Sequence, residues 1–280
     1  MTEATTLIGI VQQSAAHIFV FDFARYLIGA GLIAALVWGL MRTPWRSRKI
    51  QKRDATGSDF RREFLASVRT VLVYVVVSIC IIWGFRHGYF NEYAGQAGLG
   101  TQLAYFAAIL VAHDAYFYWS HRTMHHSRLF KTFHRFHHRT ITPTPWAAYS
   151  FAIPEAFVMA LFMPLWLWLV PTPQGVIFAF LAVMILRNAM GHAGLELHGK
   201  GWASNPILKW ISTTTHHDLH HAGSFNHNFG FYFTFWDKVM GTEHPDYVAT
   251  FNRVTATPQT INESYTTTRA HRGEQASIKA

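Results

Sequence analysis

The chain has 280 residues, 50% hydrophobic, 16% aromatic and only 14% charged, with a formal charge of +9 and a mean hydropathy of +0.11. Against the roughly 25% charged residues of an ordinary soluble domain, this composition excludes both a fully water-covered globule and a disordered chain, and it points to a membrane protein with a substantial polar part. The single cysteine, Cys80, excludes a disulfide framework, a thiolate zinc site and a cysteine-held iron-sulfur cluster.

A helix that crosses the hydrocarbon core needs ~20 mostly apolar residues. Five windows approach that length: 21–41, with Asp22 and Arg25 near its outer end, then 68–85, 101–120, 151–170 and 172–190. The first lacks a small-residue cleavage pattern and reads as retained, and Pro171-Thr172-Pro173 should fold the last two into a hairpin. The expected class is an all-α integral membrane protein with four to five transmembrane helices. Between the first two windows, Arg42, Arg46, Arg48, Lys49, Lys52, Arg53, Arg61 and Arg62 face only Asp54 and Asp59. Basic residues gather in cytoplasmic loops, so this segment should be cytoplasmic, the amino terminus outside and the carboxyl terminus inside. Residues 121–150 and everything after the fifth window then form a cytosolic helical cap. That rule also accounts for the positive charge, and no nucleic-acid partner is expected. The domain reading is 1–100 as a membrane anchor region, 101–250 as the catalytic part and 251–280 as a polar tail without ordered structure.

Of eighteen histidines, fourteen lie between His113 and His227. His134-Arg-Phe-His137-His138 and His217-Asp-Leu-His220-His221 repeat a spacing of three and four that puts side chains on one helical face. His121 and His125 add a pair four apart, and His192 follows the fifth window with Glu196 one turn on. Neutral imidazole is the usual ligand of zinc, iron, copper and nickel. A single zinc takes three or four protein ligands, so nine such histidines imply a dimetal site in the cap. His17 and His87 read as interfacial anchors, His244 and His271 as surface residues, and His113, His126, His198, His216 and His227 as supporting, packing or surface residues. Asp114 stands seven residues before His121, on the same helical face and inside an apolar window. A carboxylate there is expensive without a partner, so it is expected to orient a ligand imidazole. A zinc-dependent membrane hydrolase with Glu196 as general base is the alternative.

The ordered strings His113-Asp-Ala-Tyr-Phe-Tyr-Trp-Ser-His121-Arg-Thr-Met-His125, His134-Arg-Phe-His137-His138 and His217-Asp-Leu-His220-His221 resemble the histidine boxes of the fatty acid hydroxylase and sterol desaturase superfamily. Phe225-Asn-His-Asn228-Phe-Gly230 and Trp236-Asp-Lys-Val-Met-Gly241-Thr are similar to its closing FNxNYG and WDRxFGT segments, departing at Phe229 and at Lys238-Val239-Met240. The resemblance spans about 103–245. It implies a membrane-bound non-haem diiron oxygenase whose metal ligands are His121, His125, His134, His137, His138, His192, His217, His220 and His221. It further implies two iron ions, replaceable by zinc in purified protein, with O2 as co-substrate. The expected substrate is a lipid drawn from the bilayer: a sterol, fatty acyl chain, hopanoid, ether lipid or carotenoid. Hydroxylation and desaturation are both open. No flavin, haem-attachment or nicotinamide fingerprint is present, so electrons are expected from an external ferredoxin-like or cytochrome-type donor.

Overall fold

Thr6 opens the first helix by accepting the Gly9 amide at 3.1 Å, and α1 then runs 34 residues, Leu7–Leu40. Thr56 and Asp59 close a reciprocal capping box that starts α2, Gly57–Arg86. The computed structural model describes residues 6–223 and 225–256; His271 and most of the expected polar tail lie outside the described residues. The remaining helices are α3 (Leu99–Met124), α4 (Ser127–Phe133), α5 (Ile153–Ala160), α6 (Phe162–Leu169), α7 (Gln174–Gly191), α8 (Thr214–His221), α9 (Phe235–Val239) and α10 (Tyr247–Thr255). Among the described residues there are two isolated bridges and no strand.

Three helices, α1, α2 and α7, are long and apolar enough to cross a membrane. The other two expected windows differ. The 101–120 window lies in α3, a 26-residue helix that also carries His113, Asp114, His121 and Arg122. The 151–170 window forms two eight-residue helices, α5 and α6, that meet at Leu161. Pro164 has no N–H to offer the Ala160 carbonyl, and that missing bond breaks the run.

The first hundred residues share one core with the rest of the chain. Tyr26, Ala30 and Ile33 of α1 and Val71 and Val73 of α2 pack with Tyr149, Phe151 and, from α7, Ile185 and Ala189. At Gly29 a Cβ would stand 2.8 Å from Ile185 Cγ1, so the missing side chain is what lets α1 and α7 approach closely. The segment after α1 is a strap rather than an open loop. Ile50 N–H donates to Gly194 O at 3.1 Å, Glu196 N–H to Arg48 O at 3.1 Å, and the Arg48 guanidinium to His198 O at 2.8 Å. The basic segment and the histidine-rich residues therefore share one face of the bundle. On that face α10 buries Tyr247 and Phe251 against Ala203, carrying ordered chain past residue 250 to Thr255.

Candidate metal centre

His121 lies in the last turn of α3, His125 caps it, and His192 caps α7. His217, His220 and His221 share the eight-residue α8, as the spacing predicts. The His134 to His138 string does not form one helix. The amides of His134 and Arg135 both bond to Phe130 O, at 3.0 and 2.7 Å, which closes α4, and His137–Arg139 is a 3-10 turn.

The nine nitrogen ligands expected from the sequence fall into two groups. His121, His125, His134, His138 and His220 form one; His137, His192, His217 and His221 form the other; within each, the ring nitrogens lie within 4.8 Å of one another. Eight of the nine are buried and His125 is half-buried. Both triplets are divided: His137 leaves its neighbours for the second group, and His220 leaves its own for the first.

The far side of each ring fixes its chemistry. His192 Nδ1 donates to Asn188 O at 2.8 Å and His137 Nδ1 to Ser150 O at 3.2 Å, while their Nε2 atoms face each other at 3.3 Å. A carbonyl only accepts, so both Nδ1 atoms carry the proton and both facing Nε2 atoms present lone pairs. His121 Nδ1 donates to Phe229 O at 2.9 Å, and its Nε2 stands 2.9 Å from His134 Nε2. His221 Nδ1 reaches Thr140 O at 2.9 Å. His220 Nδ1 donates to His227 O at 2.7 Å, leaving a buried Nε2 with no partner. Burial, then the neighbouring imidazoles, holds His134, His137, His138, His217 and His220 well below the ordinary histidine value. Burial also lowers His192 to about 4. Lone pairs of neutral rings converging without protons between them are what a pair of cations would satisfy.

One ring has a different partner. His134 Nδ1 meets the buried Glu155 carboxylate at 2.6 Å, the contact that metal-binding histidines commonly make. Asp114, expected from its place on α3 to make such a contact, does not make it. Asp114 Oδ1 accepts the backbone amides of Tyr232 and Phe233, at 2.7 and 3.1 Å, so it holds the loop after Gly230. Glu155 was detectable by the same signal as Asp114, a lone carboxylate in an apolar window. Glu196 belongs to neither group: Oε1 accepts from His198 N–H and Nδ1, and Oε2 from Thr215 N–H and Oγ1, all at 2.6–2.8 Å. Those bonds anchor the start of α8 and leave Glu196 poorly placed as a base.

The two closing segments form one support. Asp237 accepts the amides of Phe229 at 2.9 Å and Gly230 at 2.8 Å and the Thr242 hydroxyl at 2.7 Å, with His216 Nε2 3.4 Å away. Asn228, at φ 59°, donates to His216 O and accepts the His244 amide. Phe229 lays its ring against His121, His125 and His220. Of the other histidines, His17, His87 and His126 are exposed, His198 pairs with Glu196, His227 meets His244 edge to face, and His113 sits among Phe162, Phe180 and Phe231.

A small cavity touches both groups through His121, His134, His137, His192 and His217. A second cavity, of about 120 Å³, lies between α1, α2, α3 and α7, and the two share Phe117, Phe151, Met159 and Asn188 as walls.

Residues 106–242 match the family model described as fatty acid hydroxylase. The chain is 27% identical over 229 residues to Delta(7)-sterol 5(6)-desaturase erg3B of Aspergillus fumigatus, covering 80% of this chain and 63% of that protein. It is 27% identical over 240 residues to Delta(7)-sterol 5(6)-desaturase ERG3B of Gibberella zeae, covering 83% and 70%. With lathosterol oxidase of Homo sapiens it shares 32% over 130 residues, covering 46% and 41%. The matched part thus spans between about two fifths and seven tenths of these relatives' lengths. No solved structure matches the chain at a comparable level.

Proposed function

We propose that the chain, whose residues 106–242 match the fatty acid hydroxylase model and which resembles sterol desaturases, is a member of the fatty acid hydroxylase and sterol desaturase superfamily and a membrane-bound oxidoreductase acting on an unactivated C–H position of a lipid. The observation that carries the reading is the convergence of unprotonated Nε2 atoms on two centres, with Nδ1 protons committed to Asn188, Ser150, Phe229, Thr140 and His227 carbonyls. Five nitrogens would hold one iron ion and four the other. Bound there, the iron pair supplies reductive activation of dioxygen and removal of hydrogen from carbon, chemistry beyond side chains alone.

The chain's own residues do the rest. Glu155 and the carbonyls hold His121, His134, His137, His192, His220 and His221 each in one orientation and one tautomer. Phe117, Phe151 and Met159 stand as shared walls of the two cavities, an apolar surface that would help to keep water from the site. In hydroxylation one oxygen atom of O2 enters the C–H bond and the other leaves as water; in desaturation two hydrogens leave carbon and both oxygen atoms become water. Either route consumes two electrons from an external ferredoxin-like or cytochrome-type donor. The names of the relatives favour a sterol-type substrate within the wider lipid class. The basic residues of the strap, on the same face as the histidines, support a cytoplasmic metal centre.

The test is to purify the full chain from iron-supplemented cells, count iron per chain, and incubate it with lipid extract, a reductant system and O2. Lipids heavier by one oxygen or lighter by two hydrogens, formed only with O2, are expected. Chain with a full metal complement that leaves every lipid unchanged would overturn the proposal.

A further inference from the structure

The cavity that shares walls with the histidine centre is lined by polar groups that the oxygenase reading does not use. Asp22 and Arg25 of α1 line it, together with Tyr74, Tyr149, His113 and Asn188. Arg25 stands fifteen residues before Leu40, about 22 Å of helix, so the pair lies within the depth of the hydrocarbon. Its side chains are only 9% and 7% exposed. Ionisable residues at such depth are expensive and mark functional sites.

The polar bonds of this group are incomplete. Arg25 donates to Asp22 Oδ1 at 2.7 Å, to the Tyr149 hydroxyl at 2.8 Å and to Leu181 O at 3.3 Å. Its Nε is buried with no partner, and so is His113 Nδ1. Asp22 neutralises Arg25, so the site does not call for an anionic ligand. Arg25 Nε–H requires an acceptor, and an imidazole nitrogen accepts or donates according to tautomer. A hydroxyl group answers both, being acceptor and donor at once.

We propose that Asp22, Arg25, Tyr149 and His113 form a hydroxyl-recognition site that holds the oxygen of a neutral lipid alcohol while the hydrocarbon beyond it is presented to the histidine centre. This rests on the lipid-oxygenase reading of that centre. Eight residues of α3 separate His113 from His121, a rise of about 12 Å. The site therefore selects which carbon reacts by fixing the molecule at a distance from its oxygen. At about 120 Å³, below the ~300–1,000 Å³ usual for ligand pockets, the cavity takes the polar end and a first stretch of hydrocarbon, and side chains must move to admit more.

The test uses full-length protein in nanodiscs and two matched probe pairs: 5α-cholestan-3β-ol against 5α-cholestane, and octadecan-1-ol against octadecane. Each pair differs only in the hydroxyl. Equilibrium binding should favour the alcohol about tenfold or more in at least one pair, as hydrogen bonds to a charged group do. Asp22→Asn with Arg25→Met, made together so that no charge is stranded, should abolish the preference and leave hydrocarbon binding unchanged. His113→Phe should weaken the preference in the same direction, and it carries the test if the double variant fails to insert. Equal binding of alcohol and hydrocarbon by the wild type in both pairs, or a preference that survives every variant that inserts, would overturn the site. Product formation on the same samples separates the two readings. A hydroxyl preference without oxidised product supports the site and overturns the oxygenase; oxidised product without the preference does the reverse.

Discussion

His134 is the ring whose outer nitrogen meets a carboxylate where others meet carbonyls. Negative charge there raises the ring's basicity, so Glu155→Gln should weaken metal binding about 10- to 100-fold, measured by chelator competition with the folded protein. Asp114→Asn should behave oppositely. It loses charge-assisted bonds to the Tyr232 and Phe233 amides, so it should lower stability by about 1–3 kcal/mol, seen in the thermal midpoint, with metal affinity nearly kept. The residue scale also shows where sequence reasoning stopped. Both carboxylates stand out in apolar windows, but spacing along α3 reports only which residues share a face. It does not report that the loop from Phe231 to Phe233 crosses that face at Asp114, and only the folded chain puts Glu155 against His134.

Among the elements, α8 is the most demanding: eight residues, with His217, His220 and His221 all buried. A helix this short is not stable by itself, and Glu196 fastens its start through Thr215. Burial pushes Glu196 up, but His198 and Thr215 outweigh it and hold the carboxylate below its ordinary value of 4.5. A depressed carboxylate contributes stability that is present above the unfolded value and is lost as pH falls through the folded one. The thermal midpoint should therefore fall progressively as pH drops below about 4.5, and Glu196→Gln should start lower and respond less to acid. Gly230 supports the same region from the other side. A Cβ there would stand 2.4 Å from Phe233 O and 2.8 Å from Asp237 Oδ2, so Gly230→Ala should destabilise by about 1–3 kcal/mol and loosen His121, whose partner is the adjacent Phe229 carbonyl. The helical spacing was a good guide to α8 and a poor one to His134–His138. Three-and-four spacing fits an α-helix or a helix end followed by a tight turn, and the bonds to Phe130 O decide between them.

For the whole molecule, the strap and the histidine centre lie on one face, so their sidedness stands or falls together. In a Cys80→Ser background, Lys52→Cys should resist a membrane-impermeant maleimide in intact cells while Tyr93→Cys reacts. Composition and motifs made the helical membrane class and the grouping of histidines legible. They could not reveal that the first hundred residues wall the same cavity as the family-matched part, because apolar windows carry no record of which neighbour they face. Metal removal belongs to this scale as well. An ion that binds only the folded chain stabilises it by mass action, so chelation should lower the thermal midpoint of the wild type, and less so that of His220→Ala.

The divided triplets have a consequence for assembly. His137 is covalently flanked by a member of the other histidine group, His138, and His220 by His221. On the proposed reading, whichever ion arrives first would freeze backbone that the second needs, so that the second would find its ligands already in place. Uptake should be cooperative, with apoprotein and fully loaded protein in equilibrium and little singly loaded protein between them. A native mass spectrum taken at half-saturating iron would show two populations, and under the proposed function activity would respond to falling iron as a switch between competent and idle molecules.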